Sequence, residues 1–310
     1  MEVAVELTPS SDDNGQETRL LMDEQKRLAG FLIREGPLNG PVERLRFLRL
    51  SGGVSSDTFL ITDGAQQIVL KKALSKLRVE DEWYADVKRN HFEHEYMRYV
   101  ATLDPAIVPE VVYYNDAEGF FAMEYLEGFS TWKSILLDKK TAGVHAKTAG
   151  NMLGRIHRSS WEDESLRQEF DTTEQFIQLR VDPYLYTIGR KMPEYQELFV
   201  AEGKRLTENR RCLVHGDYSP KNLMVGDNRM VIVDCEVAWF GDPAFDVCFL
   251  LNHLFLKAIY HHELAEGYLQ LARLAWESYA DALGKQRAAD IELNIGRLLL
   301  MLMIARVDGK

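Results

Sequence analysis

The sequence predicts an α+β fold of two lobes: a small antiparallel sheet carrying one helix, then a larger and mainly helical lobe. Three observations predict it. Residues 45–74, "LRFLRLSGGVSSDTFLITDGAQQIVLKKAL", are strand-like apolar runs broken by turn signals. "PEVVYYND" and "GFFAMEYLEG" repeat that pattern at 109–128. Beyond Gly128 the pattern is helical, except for the short β-type runs "CLVH", "NLMV" and "MVIVDCE". The expected boundaries are a tail and helix at 1–40, a sheet lobe at 41–126 and a helical lobe at 127–310.

Each element has a local reason. The first 16 residues are polar and acidic and are expected to fray. From Glu17, Leu21, Leu28, Phe31 and Leu32 fall on one helical face, and Gly36 closes the helix. Gly52 and Gly53 break the first strands, and "TDGA" is an Asp-Gly turn joining the next two. Residues 88–103 carry Phe92, Tyr96, Tyr99 and Leu103 at helical spacing. The run "LLLMLMI" at 298–304 is seven residues where a membrane span needs about 20, so it reads as a buried helix.

Composition excludes several classes. With 310 residues, 46% hydrophobic and 27% charged, the chain is globular and long enough for a substantial core. A net charge of -11 argues against a nucleic-acid partner, which needs clustered Lys and Arg. The same charge favours cationic over anionic small substrates, weakly, because acidic surfaces mostly serve solubility. Cys212, Cys235 and Cys248 show no CxxC spacing and read as small buried hydrophobes in a reducing compartment. The N-terminus lacks a secretory pattern, so a cytoplasmic protein without membrane attachment is expected. Oligomeric state is not legible, which leaves a homodimer open.

Chemistry concentrates in "LVHGDYSPKNLMVGDNRMVIVDCEVAWFGDPAFD", residues 213–246. His215, Asp217, Asn222, Asp234, Glu236, Asp242 and Asp246 surround two short apolar runs there, and so many carboxylates call for positive charge. Asp217 follows one run, Asn222 comes five residues later, and Asp234 ends the next run. A carboxylate to receive a hydroxyl proton, beside an amide oxygen and a carboxylate to hold a divalent cation, is the equipment of phosphoryl transfer. Mg²⁺ takes one or two carboxylates plus substrate phosphates, so Asn222 and Asp234, with Glu236, make a fitting set. Asp242 before Pro243 reads as a helix N-cap.

"HGDYSPKN", "IVDCE" and "GDPAFD" in this order resemble the catalytic region of the kinase-like phosphotransferases, which include aminoglycoside phosphotransferases, choline kinases and methylthioribose kinases. The resemblance runs from about residue 45 to 260 and implies a bilobal protein-kinase-like fold using ATP and Mg²⁺. It implies that Asp217 faces the acceptor hydroxyl, that Asn222 and Asp234 bind Mg²⁺, and that Asp246 supports the catalytic loop. It makes Gly52, Gly53, Ser55 and Ser56 a turn over the phosphates. Lys71 becomes the phosphate lysine, with Lys72 as alternate, and Glu93 its partner, with Glu95 as alternate. Glu124, Tyr125 and Leu126 become the hinge that hydrogen-bonds adenine. Residues 70–95 and the Asp234-Cys235-Glu236 triplet are most similar to methylthioribose kinases. Those enzymes carry a different residue at Asn222 and are usually longer, which puts the acceptor in doubt.

The resemblance places acceptor-binding helices just before the catalytic stretch, where Arg180, Asp182 and Tyr184 lie, and Trp239 within that stretch is a further candidate contact. Arg180 and Asp182 read equally as a surface pair. His157, His253, His261 and His262 read as packing residues. The expected activity is transfer of the γ-phosphoryl group of ATP to a hydroxyl of a small metabolite, a methylthioribose-like sugar being the leading choice. A regulatory nucleotide-binding module without transfer is the alternative, though a pure binder has no use for Asp217. A protein kinase fits less well, because only 12 positions separate Asp234 from Asp246 and leave little room for an activation loop. A hydrolase built on His215 and Asp217 does not explain the sheet lobe. The sequence holds no GxxxxGK[ST] and no GxGxxG.

Overall fold

The computed structural model describes residues 5–6, 13–50, 55–74, 86–226 and 228–308. They fall into two compact units, Met1–Arg98 with Pro109–Glu127 and Tyr99–Val108 with Gly128–Lys310. In the first unit, six described strands form one sheet: β1 (Val5–Glu6), β2 (Arg46–Arg49), β3 (Ser56–Thr62), β4 (Gln67–Ala73), β5 (Val111–Asn115) and β6 (Phe120–Glu124). Their order is β1-β2-β3-β4-β6-β5, with every neighbouring pair antiparallel. Two helices accompany the sheet, α1 (Asp13–Arg34) and α2 (Arg89–Leu103), the last turn of α2 belonging to the second unit.

Strand parity decides what each face does. Phe59 and Ile61, Ile68 and Leu70, and Phe120 and Ala122 alternate onto one face, where they pack with Leu28, Ala29 and Leu32 of α1. The Asp-Gly turn forms as its residues require: Gly64 has φ +93°, and Asp63 Oδ1 accepts from Ala65 N and Gln66 N, both at 2.8 Å. These backbone bonds hold the exposed Asp63 carboxyl below its usual range. Helix α2 turns a different face inward from the one its aromatic spacing predicts. Glu93, Tyr96, Met97 and Val100 are buried, whereas Phe92, Tyr99 and Leu103 are half-buried. A charged residue belongs to the buried stripe, so apolar periodicity alone misplaces it.

The second unit holds the remaining strands, β7 (Ser130–Thr131), β8 (Cys212–Val214), β9 (Leu223–Val225), β10 (Met230–Ile232) and β11 (Trp239–Gly241). They form a three-stranded β10-β9-β7 sheet and a β11-β8 pair. Its helices are α3 (Trp132–Leu137), α4 (Gly143–Ser159), α5 (Glu164–Glu169), α6 (Thr173–Phe176), α7 (Thr187–Lys191), α8 (Gln196–Glu208), α9 (Ala244–Tyr260), α10 (Ala265–Leu283) and α11 (Lys285–Asp308). Between α6 and α7, residues Ile177–Tyr186 wind as a π-helix with Pro183 inside it. Proline removes a backbone donor that a regular α-turn would use. Helix α9 is apolar on most sides and is accordingly the buried centre of this unit, with twelve of its residues from Ala244 to Ala258 enclosed.

Two glycines let α4 approach α10 at backbone distance. A methyl group on Gly150 would lie 2.1 Å from Ala275 O, and one on Gly154 would lie 2.6 Å from Tyr279 O. The "LLLMLMI" run buries one side only: Leu298 and Leu302 are enclosed in α11, but Leu300 is 64% exposed, which corrects the expectation of a fully buried helix. Among the described residues no helix is long and apolar enough to cross a membrane.

The glycines make a paired test. Gly150→Ala should destabilise the protein by about 1–3 kcal/mol, because backbone has to move. Gly296→Ala in α11, where nothing lies within 4 Å of the added methyl, should stabilise it by about 0.5–1 kcal/mol. Urea unfolding midpoints of the two variants against the parent check both signs.

Candidate active site

The second unit builds its polar centre on a loop between β8 and β9. His215 and Gly216 follow β8, and their backbone N–H groups donate to the Asp246 carboxylate at 2.7 Å and 2.9 Å. Asp246 sits in the first turn of α9 and is fully buried. Behind it, His157 Nε2 lies 3.4 Å from the same carboxylate, and His157 Nδ1 lies 2.9 Å from the Tyr279 hydroxyl. Gly216 has φ +78°, and a Cβ there would meet Val237 O at 2.4 Å, so no other residue fits.

His215 is held in one tautomer. Its Nδ1 accepts from Asp217 N at 3.1 Å, so Nε2 carries the proton that it donates to Val233 O at 3.2 Å. Burial pushes its pKa below the ordinary value, although Asp246, Asp217 and Asp234 pull the other way. Val233 also donates its N–H to Asn222 O at 3.0 Å. These two bonds fix Asp234, the next residue, beside the loop that carries Asn222. Asp234 has φ +62°, a left-handed backbone uncommon outside glycine, at the residue the sequence marks for metal. Asn222 Nδ2 donates to Asp217 O at 3.0 Å, so the amide oxygen is what that side chain keeps for a cation. Glu236 follows in the same turn and is 9% exposed.

Asp217 is clasped by two cations. Arg180 Nη2 and Lys221 Nζ reach its Oδ2 at 3.1 Å and 3.0 Å. Arg180 also donates through Nε to Gly216 O at 2.5 Å, so the π-helix grips the loop's backbone as well as its carboxylate. Burial opposes the charge on Lys221, but Asp217 and Asp234 outweigh it and hold its pKa above the ordinary value.

In the first unit, Lys71 Nζ meets Glu93 Oε1 at 2.8 Å, both side chains buried. The alternates have other partners. Lys72 shares the strand face that α1 covers and pairs with Glu24 at 2.6 Å, while Glu95 pairs with Arg98 and with His94 at 2.9 Å. Ser55 O accepts from Leu74 N at 2.9 Å and from the fully buried Arg89 guanidinium, which also reaches Leu74 O at 2.5 Å. Arg89 thereby pins the start of β3 to the end of β4. Ser56 Oγ lies 3.3 Å from Thr58 Oγ1. Gly52 and Gly53 lie outside the described residues. In the hinge stretch, Glu124 N donates to Glu110 O at 2.8 Å, and Tyr125 O accepts from Glu127 N at 3.0 Å, just before Leu126.

Comparison with known proteins now bears on these residues. A model of the phosphotransferase enzyme family matches residues 46–281, well over half of the chain. The chain belongs to this family. A methylthioribose kinase of Escherichia coli O45:K1 is 24% identical over 247 residues, 70% of this chain and 59% of that kinase. The chain thus spans under two thirds of the length of such curated relatives. The choline kinase of Cryptosporidium parvum Iowa II superposes with TM-score 0.56 at 14% identity, covering 90% of this chain and 87% of that one. An amicoumacin kinase solved with AMP-PNP, Ca²⁺ and amicoumacin superposes with TM-score 0.53 at 15% identity, covering 95% and 96%. Both share the fold.

Within this family member, the four expected acceptor residues do not all come together. Arg180 reaches the loop of Asp217 from the π-helix, and Tyr184 packs edge-on to Phe249 with ring centroids 5.8 Å apart. Asp182 instead forms an exposed pair with Arg190 at 3.1 Å. Trp239 is fully enclosed, stacked on Phe176 at 4.1 Å, with its indole N–H donated to Thr173 Oγ1 at 3.0 Å. It has no surface left for an acceptor, because β11 pairs with β8 and turns it into the core. Several of the crowded acids have donors within the protein. Asp246 takes two backbone donors, Asp217 takes Arg180 and Lys221, and Asp242 takes Arg205 at 2.5 Å and Ala244 N at 2.8 Å. The protein neutralises most of them itself. Asp242 makes its expected capping bond, although α9 begins one residue later than Pro243.

Sequence reasoning missed four basic residues of the second unit. Lys221 lay inside the quoted motif, four residues after Asp217, unassigned. His253, Lys257 and Arg306 come from the far turns of α9 and the end of α11, and no local pattern links them. Arg306 Nη2 lies 3.2 Å from His253 Nε2, and its guanidinium stands over the rings of Tyr184 and Phe249 at 5.2 Å and 5.4 Å.

Two outcomes are expected. Asp246→Asn replaces an acceptor-only carboxylate with a group offering one oxygen to two backbone donors, leaving a buried donor unsatisfied at a cost of about 1–3 kcal/mol. The urea midpoint should fall accordingly, and hydrogen exchange at the Gly216 amide should quicken. Acid should also destabilise the protein. Burial, followed by repulsion from Arg306 and Lys257, pushes the His253 pKa from 6.5 down to about 3. The unfolded chain therefore binds this proton first, so stability present above pH 6.5 is lost progressively as pH falls toward 3. Unfolding midpoints taken from pH 7 to pH 4 should drop, and drop less in His253→Gln.

Proposed function

We propose that the protein is an ATP-dependent kinase that transfers the γ-phosphoryl group to a hydroxyl of a small molecule. The observation that carries this reading is the loop of Asp217 and Asn222, with Asp234 beside it, pinned through its backbone by Asp246 and through its acidic side chain by Arg180 and Lys221. Asp217 orients the acceptor hydroxyl and receives its proton as the oxygen attacks. The two cations on Oδ2 hold that carboxylate in place, so geometry is set before the acceptor arrives. Lys71, held by Glu93, supplies charge to the α and β phosphates. Ser55 and Ser56 serve the same phosphates, and the backbone of Glu124, Tyr125 and Leu126 serves adenine.

The donor set suits Mg²⁺. Asn222, Asp234 and Glu236 offer hard oxygens, few enough to leave positions for phosphate, and the left-handed backbone at Asp234 is the sort of strain that a ligand position retains. Bound there, the ion supplies neutralisation of charge on the β and γ phosphates. The curated relatives named methylthioribose kinases support a small sugar-like acceptor, with methylthioribose as the reference compound for a first assay.

The two aspartates separate in experiment. Asp217→Asn should keep Mg²⁺-dependent nucleotide binding while turnover falls by roughly two to four orders of magnitude. Asp234→Asn should weaken nucleotide binding in the presence of Mg²⁺ as well as turnover, because a neutral amide is a poor partner for a hard cation. Calorimetric titration of ATP with and without Mg²⁺, beside initial rates on small alcohols, reads both. Full activity in Asp217→Asn, or phosphorylation of folded proteins and of no small molecule, contradicts the proposal.

A further inference from the structure

A chain of contacts links Asp217 to basic side chains of the second unit that, among the described residues, have no carboxylate partner. Lys257 is 7% exposed, and among the described residues its ammonium has only the carbonyl of His253, at 3.4 Å, within hydrogen-bond reach. Among the described residues neither Lys257 nor Arg306 has a carboxylate within ion-pair distance. Arg306 touches His253, Tyr184 and Phe249, and Arg180 stands 6.0 Å over that same Phe249 ring while holding Asp217. Phe249, His253 and Lys257 are successive i, i+4 positions of α9 and so line one side of the helix. A single tract therefore runs from Asp217 through Arg180 and Phe249 to His253, Arg306 and Lys257.

An enclosed ammonium without a counter-charge is costly, and proteins remove such groups unless a ligand uses them. Its neighbours register the mutual repulsion: burial, then Lys133 and Arg306, push the Lys257 pKa down to about 8. His253 is kept neutral by the same surroundings, so its Nε2 accepts from Arg306 and aims that guanidinium.

We propose that the acceptor carries an anionic oxygen group, a carboxylate or a phosphate, which Lys257 and Arg306 bind while its hydroxyl faces Asp217. This rests on the kinase reading above. It runs against the preference for cations that the net charge of -11 suggests, and it departs from a neutral thiosugar such as methylthioribose.

The test is a matched acceptor panel with ATP and Mg²⁺: ribose and methylthioribose as neutral sugars, ribonate as a carboxylate, ribose 5-phosphate as a phosphate and choline as a cation. At least one of the two anions should exceed both neutral sugars by tenfold or more in kcat/KM, choline being poorest, and which anion wins identifies the group. Lys257→Met and Arg306→Met should each raise KM for that anion by about 10-fold or more with nucleotide affinity unchanged, Lys257→Arg restoring part of the loss. Because Lys257→Met removes an unanswered buried charge, its Tm should hold or rise. A preference for ribose, methylthioribose or choline overturns the anionic acceptor and leaves the kinase reading intact. Absence of transfer to every compound, with Mg²⁺-dependent ATP binding retained and no anion taken up in calorimetry, overturns both. Loss of nucleotide affinity in Lys257→Met, or a lower Tm with unchanged acceptor preference, also overturns it by making Lys257 a phosphate or structural residue.

Discussion

One buried carboxylate organises the second unit. Asp246 accepts the backbone N–H groups of His215 and Gly216, and these two bonds set the path of the loop that carries Asp217 and Asn222. Everything around it keeps that carboxylate in register. Helix α9 holds it from a buried first turn, His157 and Tyr279 close it off from behind, and the β8-β11 pair fixes where the loop departs. A carboxylate accepting two backbone donors in a dry interior has no other favourable arrangement, so the loop has none either. The close passage of α4 against α10 at Gly150 and Gly154 belongs to the same construction, since α4 carries His157 and α10 carries Tyr279.

Much of this was legible in the chain, and for identifiable reasons. The mixed α+β fold follows from the change of periodicity near Gly128, and the antiparallel sheet follows from turn residues whose geometry is local. The Asp217, Asn222 and Asp234 spacing marks a loop between short strands because its members lie close in sequence. Lys71 and Glu93 were harder. Two lysines and two glutamates competed, and only strand parity together with the face of α2 decides between them. Trp239 misled because a large aromatic beside catalytic acids looks like a ligand wall, and only the pairing of β11 with β8 shows it turned inward. Lys221 was visible but without a role, since nothing in the sequence says that it folds back on Asp217. His253, Lys257 and Arg306 were invisible as a group, because their proximity is a product of how α9 and α11 pack.

The electrostatics also differ from what overall composition suggests. A chain with net charge -11 uses its acids inside as hydrogen-bond acceptors and ion-pair partners. Asp246, Asp242 and Asp217 each have protein donors, and the oxygens proposed for an external cation are those of Asn222, Asp234 and Glu236. Net charge describes the solvated exterior. The interior of the second unit is locally basic on the side of α9 where Lys257 lies.

Helix α9 carries the brace at its beginning and the unanswered lysine near its end. Eleven residues separate Asp246 from Lys257, a rise of about 16 Å at 1.5 Å per residue. The loop's support and the tract's charge thus occupy opposite ends of one rigid rod, each with its own neighbours. For protein engineering this is a convenient division. A combinatorial library confined to the last two turns of α9 and the end of α11 would sample new selectivities while the hydrogen bonds that shape the loop stay as they are.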